Sequence, residues 1–233
     1  MTDTKAKVVG INGNMVTIEF DGSVSMNEVG YVNVDGKKLR GEVIRIRGNK
    51  AQMQIFEMTQ GIKTGDTVEL IGDLLCAELG PGLLGQTFDG LQNPLPLVAE
   101  KAGFFLERGV YIEPLSSEKK WEWTPTVKQG DKVLRGDSIG HVPEGPFTHK
   151  ILVPFDLLGM YTVKSVSKEG SYTIKDTVAV VTDEKGKEHE LKMSFKWPVK
   201  RAVDCYAERL APTDPMVTQV RLIDTFYPVC KGG

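Results

Sequence analysis

The sequence predicts a mainly β protein, with a six-stranded barrel near the N-terminus and a second β-rich block built as a barrel or sandwich. In residues 1–72, short alternating apolar stretches are separated by glycine turns at spacings of about 8–12 residues, which is typical of a small closed barrel. In residues 111–190, glycine-aspartate turns alternate with Val and Ile positions. These two patterns predict two β structures in one chain.

The composition is that of a soluble globular protein, with 233 residues of which 40% are apolar and 26% charged. A formal net charge of −2 gives no basic excess for binding a nucleic-acid backbone. The cysteines are widely spaced and number 3, which favours a reducing compartment. The polar start has no signal-peptide pattern, and no apolar run reaches membrane-spanning length. We therefore expect a cytoplasmic protein with no direct membrane insertion.

The barrel prediction begins with a hairpin at Asn12-Gly13, because both residue types tolerate a positive φ in a tight turn. The strand after it, Val16–Phe20, alternates apolar and polar positions. Further strands are predicted at 31–34, 42–47, 51–56 and 67–71.

Residues 73–110 are rich in Gly and Pro and predict ordered turns, followed by one short helix over Pro96–Ala102 that ends at Gly103. In the second block, Glu190–Phe195 is predicted as the last strand, closed by Pro198. Residues 199–233 contain one helix-compatible stretch, Gln219–Phe226, and too few periodic apolar residues to form a core.

Trp121 and Trp123 are the candidate protein-interface residues, because strand periodicity places both indoles on one side and Trp is favoured at binding hot spots. The alternative is that both rings pack in the core of the second block, and base rates favour it. Three histidines, His141, His149 and His189, share no ligand spacing, so no metal site is predicted.

No catalytic residue and no cofactor-binding residue is predicted in this chain. Asp131 and Asp137 each follow a glycine, where an aspartate bonds the turn backbone. Two other functions remain open. One is a free-standing barrel that binds RNA or protein, for which the stretch from Arg40 to Lys50 is locally basic. The other is a biotinyl- or lipoyl-like carrier, although neither Lys164 nor Lys175 has the methionine flanks of a carrier lysine.

Seven stretches, in order along the chain, resemble the N-terminal portion of the catalytic A-type subunits of V-type and archaeal-type rotary ATPases. They are Gly41–Arg45, Glu78–Leu84, Phe88–Leu95, Lys120–Pro125, Phe147–Pro154, Trp197–Lys200 and Arg221–Gly233. In that family the last stretch precedes the phosphate loop, and no G-x-x-x-x-G-K-S/T pattern occurs in the 233 residues. No residue of the ATP site can therefore be assigned to this chain.

The resemblance implies four regions: an N-terminal barrel (1–72), a connecting segment of the nucleotide-binding domain (73–110), the family's bulge insertion (111–190) and the start of that domain's main part (191–233). This adds pieces of a phosphate-loop α/β domain to the predicted β fold. It implies a parent that couples ATP hydrolysis or synthesis to proton or sodium ion transport, with ATP and Mg²⁺ bound elsewhere. Implied partners are the B-type and other A-type subunits of a heterohexameric ring, and peripheral-stalk subunits, with no nucleic acid. The complex would be cytoplasmic and peripheral to the membrane.

Two stretches depart from the family pattern. Val203-Asp204 stand where the family carries Arg-Pro, and Gln219 stands where it carries a glycine after threonine. The second departure raises the question of how a glycine-dependent turn is made here.

Overall fold

The computed structural model describes residues 4–103, 105, 107–206, 208 and 210–232. The chain divides into two compact units, Met1–Ala202 and Val203–Gly233.

The first six strands close into an antiparallel barrel in the order β1-β2-β5-β4-β3-β6, which confirms the predicted barrel. The strands are β1 (Thr4–Asn12), β2 (Met15–Phe20), β3 (Glu28–Val34), β4 (Lys37–Arg47), β5 (Lys50–Ile55) and β6 (Thr67–Leu74). The predicted hairpin joins β1 to β2, where Asn12 pairs with Met15 and Gly13 has a φ of 61°. Closure removes the unpaired strand edges of an open sheet.

The barrel core consists of the apolar side chains at every second strand position. In β2, for example, Val16 and Ile18 have no exposed surface, and Phe20 is buried with them. Because most inward positions are Val, Ile, Leu and Met, the interior of the barrel is packed with apolar side chains.

The connecting segment contains strand β7 (Cys76–Leu79) and helix α1 (Leu95–Ala102). The helix begins one residue before its predicted start. It ends at Gly103, as predicted, where the glycine N–H donates to the carbonyl of Ala99.

The second block is a sandwich of two four-stranded sheets, ordered β11-β10-β8-β13 and β15-β14-β12-β9. Its strands are β8 (Lys120–Pro125), β9 (Lys132–Val133), β10 (Ser138–Glu144), β11 (Phe147–Leu152), β12 (Tyr161–Val166), β13 (Gly170–Thr173), β14 (Thr177–Thr182) and β15 (Glu188–Lys192). One apolar core, distinct from that of the barrel, contains residues of both sheets.

The predicted last strand, Glu190–Phe195, is wrong as a single element. Strand β15 ends at Lys192, and a separate strand, β16 (Phe195–Pro198), leaves the sandwich to pair with β7. The change of sheet is stabilised by aromatic packing, since the Phe155 ring makes edge-to-face contacts with Phe195 and Trp197 at 5.0 and 5.4 Å. This pairing joins the two regions that flank the sandwich in the sequence.

Aspartates after glycine close turns in the barrel and in the sandwich, as predicted for Asp131 and Asp137. Each carboxylate accepts the backbone N–H three residues earlier, and the three bonds are Lys63 to Asp66, Lys128 to Asp131 and Leu134 to Asp137, all 2.7 Å. The preceding glycine N–H donates to a valine carbonyl on another strand or loop: Gly65 to Val8 (2.8 Å), Gly130 to Val163 (2.8 Å) and Gly136 to Val153 (3.0 Å). The barrel and the sandwich therefore use the same turn to fasten a loop to the fold.

The second unit is a closed loop around a short helix, α2 (Arg221–Phe226), which lies within the predicted helical stretch. The loop is closed by two backbone bonds of 2.8 Å, from Met216 N–H to the Val229 carbonyl and from Lys231 N–H to the Asp214 carbonyl. No described residue of this unit is buried. The large apolar side chains of α2 are 36–70% exposed (Leu222, Ile223, Phe226), which agrees with the prediction that this region has no core of its own.

Gln219 adopts the backbone conformation that favours glycine, with a φ of 65°. It is held there because the Asp224 carboxylate accepts the N–H groups of Thr218 (3.0 Å) and Gln219 (3.1 Å). The hydroxyl of Thr218 also donates to that carboxylate, and these bonds lower the pKa of Asp224. The turn is therefore made with a strained glutamine.

We predict that Gln219→Gly stabilises this turn by about 0.5–1 kcal/mol, because the cost of a left-handed L-residue exceeds the entropy cost of glycine. Hydrogen exchange of the Thr218 and Gln219 amides should slow by roughly two- to fivefold. The control is Val217→Gly, since Val217 is 75% exposed and has an ordinary φ. Val217→Gly should speed exchange of these amides. If Gln219→Gly also sped their exchange, the Gln219 backbone would not be strained.

Candidate functional site

The two candidate interface tryptophans lie in the core of the sandwich. Both are in β8 with their rings directed inward, and Trp121 and Trp123 are 5% and 0% exposed. The Trp123 indole N–H donates to the Ser167 carbonyl at 3.2 Å. Both rings therefore pack in the core, as the alternative expects, although the Trp121 indole N–H has no hydrogen-bond partner among the described residues. The interface role stays a prediction.

The three histidines occupy structural positions on separate strands. His149 contacts the Glu144 carboxylate at 2.6 Å, and the His189 ring packs edge-on against Tyr161 at 5.5 Å. His141 lies on β10 opposite Lys150. Among the residues that the structure describes, no three His, Cys, Asp or Glu side chains are grouped so that they could hold a metal ion.

The two lysines considered for a carrier role are engaged in surface ion pairs. Lys164 pairs with Glu188, and Lys175 pairs with Glu113 at 3.3 Å. Lys175 does lie in a tight turn, but the strands on either side of it, β13 and β14, belong to different sheets. Lys175 is therefore not at the tip of a hairpin, where a carrier lysine would lie.

The barrel is joined to the stretch between α1 and β8 by a cluster around Tyr111. The Arg40 guanidinium lies 4.3 Å from the Tyr111 ring centre and 5.6 Å from that of Tyr31. The Tyr111 hydroxyl accepts the Arg40 backbone N–H at 2.8 Å and donates to Glu57. Because its guanidinium packs on these two rings, Arg40 does not add to the locally basic surface that suggested RNA binding. Arg45 and Arg47 remain exposed.

Burial, reinforced by the bond to the Glu57 carboxylate, raises the pKa of Tyr111 well above the usual value near 10. Above about pH 10 the unfolded chain therefore releases a proton that the folded chain keeps, and folding stability falls as pH rises. We predict that Tyr111→Phe lessens this alkaline loss, measured as the dependence of Tm on pH between about 9 and 11. Burial also raises the pKa of Tyr161, so part of the loss remains.

The control for this prediction is Tyr206→Phe, because Tyr206 is 59% exposed. That variant should keep the alkaline slope of the parent. An unchanged slope in Tyr111→Phe would contradict the proposed proton retention.

A second anchor joins the barrel to the end of the first unit. Glu42 on β4 is almost fully buried, and its Oε2 contacts the Lys200 ammonium at 2.8 Å. Lys200 also donates to the Asn27 side-chain carbonyl at 3.0 Å. The other carboxylate oxygen of Glu42 is buried and has no hydrogen-bond partner among the described residues. The buried charge of Glu42 is therefore balanced by one half-exposed lysine.

Sequence reasoning missed the exposed apolar surface of the sandwich, which we call the sandwich patch: Leu134, Leu158 and Met160. Their exposed fractions are 48%, 61% and 44%. The pairing of Tyr161 with Val133 brings Met160 level with Leu134. These residues lie in loops without strand periodicity, so no pattern in the sequence distinguishes them from core residues. Exposed apolar groups of this kind mark candidate contact surfaces.

No helix in the described part of the chain is long and apolar enough to cross a membrane.

Comparisons with known families match both β structures. Residues 8–72 match the beta-barrel domain of the ATP synthase alpha/beta family, and residues 112–200 match the barrel-sandwich domain of the ATP synthase alpha/beta subunit. The predicted region boundaries at 72, 110 and 190 stay predictions.

Similar proteins align with essentially the whole chain. The V-type ATP synthase alpha chain of Treponema denticola is 63% identical over 233 residues, which are 100% of this chain and 40% of that protein. Alpha chain 1 of Treponema pallidum is 57% identical over the same shares. The alpha chain of Borreliella burgdorferi strain B31 is 54% identical over 99% of this chain and 40% of that protein.

The chain thus spans 40% of the length of these curated relatives. The residues aligned with the Treponema denticola protein include the closed barrel, the sandwich and the segment after them. The chain belongs to the ATP synthase alpha/beta family.

Proposed function

We propose that this chain is the non-catalytic N-terminal part of the catalytic subunit of a V-type ATP synthase, and that it supplies contact surface in the assembled complex. The observation that carries the proposal is the 63% identity to an alpha chain over the whole of this chain. The parent would couple ATP synthesis or hydrolysis to proton or sodium ion transport. It would act on the cytoplasmic side, peripheral to the membrane.

ATP and Mg²⁺ are proposed to bind parts of the parent other than these 233 residues. The support is chemical, because the glycine-rich cradle with its lysine and hydroxyl residue is missing from the sequence. Calorimetric titration of this chain with Mg·ATP should give no binding at micromolar concentrations. Micromolar affinity would overturn this part of the proposal, and salt-dependent binding of a random RNA would favour the adaptor alternative.

The barrel is proposed to contact the B-type and other A-type subunits in the crown of a heterohexameric ring. A closed barrel has no free strand edge, so such contacts must use outward side chains. On β1, Val9 and Ile11 are apolar and 38% and 41% exposed. The double variant Val9→Asp/Ile11→Asp, placed in the full-length parent, should lose ring assembly with the B-type subunits in size-exclusion chromatography. The control Lys5→Glu adds a comparable charge change at an exposed position of the same strand.

The sandwich patch is proposed as the contact for a peripheral-stalk subunit. Leu158→Ser/Met160→Ser should weaken capture of purified stalk subunits without weakening ring assembly. The control is Met58→Ser, since Met58 is a 75% exposed apolar residue in the loop between β5 and β6 of the barrel. If the parent, Leu158→Ser/Met160→Ser and Met58→Ser all captured the stalk subunits equally well, the sandwich patch would not be the stalk contact.

The exposed apolar side chains of the second unit support the proposal that this region packs within a larger nucleotide-binding domain of the parent. Phe226 and Tyr227, for example, are 70% and 72% exposed. Surface of this kind is costly to leave in water, at about 25 cal/mol per Å² of apolar area.

A further inference from the structure

The Gly80–Gly85 loop is fastened to the sandwich by one buried carboxylate, that of Glu144. Its Oε1 accepts the N–H groups of Gly82 at 2.6 Å and Leu84 at 3.1 Å, which lie 62 and 60 residues away in the sequence. Its Oε2 contacts the His149 Nδ1 at 2.6 Å. With a side chain only 6% exposed, Glu144 uses both oxygens inside the protein.

The two loop amides form a small anion-binding concavity, because alternate backbone N–H groups converge on one oxygen. Bonds from amides to an ionised carboxylate are stronger than bonds between neutral groups. Glu144 therefore acts as an internal anion that occupies this concavity.

Gly82 suits this position because the backbone there has a positive φ, which L side chains rarely adopt. Its φ is 111°, and an added Cβ would lie 3.4 Å from Leu115 and 3.6 Å from the Trp121 ring. Leu83 packs against the sandwich core beside it. The loop thus lies over apolar core residues, and its only charged hydrogen-bond partner among the described residues is Glu144.

We propose that Glu144 is a clamp that holds the Gly80–Gly85 loop on the sandwich, and that the loop opens as a strap, independently of the sandwich fold, when this carboxylate is lost. The clamp joins the end of β10 to the stretch that follows β7 and leads toward α1. While the Glu144 clamp is closed, a movement of the β10–β11 hairpin also moves the stretch between β7 and α1. This inference rests on the fold alone and is independent of the proposed function.

The test is amide hydrogen exchange, read residue by residue by NMR on this chain. Glu144→Ala should speed exchange of the Gly82 and Leu84 amides by roughly ten- to a hundredfold, since a bond to a charged acceptor is lost. The amides of β12 and β14, which lie in the other sheet of the sandwich, should keep their protection. The control is Glu118→Ala, which removes an exposed carboxylate from the cavity that Gly82, Leu84 and Glu144 also line. It should leave exchange of both amides unchanged.

Two further measurements separate a clamp from general loss of packing. High concentrations of formate should restore protection in Glu144→Ala, because a small carboxylate can enter the vacated concavity, whereas chloride at equal ionic strength should restore less. His149→Ala keeps the carboxylate and should speed exchange far less than Glu144→Ala.

Unchanged exchange in folded Glu144→Ala would overturn the proposal. So would equal acceleration throughout the sandwich, or an effect of His149→Ala as large as that of Glu144→Ala.

Discussion

Gly140→Ala is expected to destabilise the sandwich by about 3 kcal/mol, the upper end of the usual cost of overfilling a packed core. Gly140 on β10 faces Trp123 on the neighbouring strand β8. An added Cβ would lie 2.2 Å from the Trp123 ring and 2.7 Å from the Thr124 carbonyl oxygen. Real Cβ atoms do not come so close, and Trp123 cannot move aside because it has no exposed surface.

The measurement is urea unfolding followed by tryptophan fluorescence, with near-UV circular dichroism as a check on the environment of Trp123. The matched control is Gly90→Ala, since an added Cβ at Gly90 meets no atom within 4 Å and its φ is ordinary. We expect Gly90→Ala to change stability by less than about 0.5 kcal/mol. A Gly140→Ala variant with unchanged stability and spectrum would show that the sandwich core is not packed as described.

Lys200→Met is expected to lower the free energy of unfolding by about 2 kcal/mol, more than Glu42→Gln, which should cost about 1 kcal/mol. Removal of the lysine leaves a buried carboxylate with no opposite charge, whereas Glu42→Gln leaves only a half-exposed lysine that water can solvate. The asymmetry follows from the difference in side-chain exposure, 6% for Glu42 and 51% for Lys200.

The double variant Lys200→Met/Glu42→Gln should be more stable than Lys200→Met alone, because the unpaired charge is then gone. Lys164→Met is the control, since Lys164 and Glu188 are both half exposed and their pair should contribute less than about 1 kcal/mol. Equal costs for Lys200→Met and Lys164→Met in urea titrations would contradict the role of the buried anchor.

The barrel and the helix boundaries could be predicted because local chemistry determines them. Because apolar and polar residues alternate along β2, Val16 and Ile18 face the core whichever strands lie beside it. Gly103 ends α1 by a local cap. The aspartate turns were predictable for the same reason, since Asp131 bonds an N–H only three residues away.

Features that depend on distant parts of the chain were not predictable from the sequence. Strand β16 separates from β15 because its partner is β7, more than 100 residues earlier, and no local pattern records that pairing. The bond of Glu144 to Gly82 likewise spans 62 residues. The choice between core and interface for Trp121 was also open, because strand periodicity gives the side of a strand but not what covers it.

We propose that this chain serves as the N-terminal part of a V-type ATP synthase alpha chain, and exchange of the matching segment tests this assignment. A chimera would carry these 233 residues in place of the segment they match in the Treponema denticola alpha chain, where identity is 63%. Co-expressed with the B-type subunits, it should assemble a hexameric ring that hydrolyses ATP at a rate comparable to that of the unmodified ring. A folded chimera that stays monomeric and inactive, while the unmodified alpha chain forms the ring, would contradict the assignment.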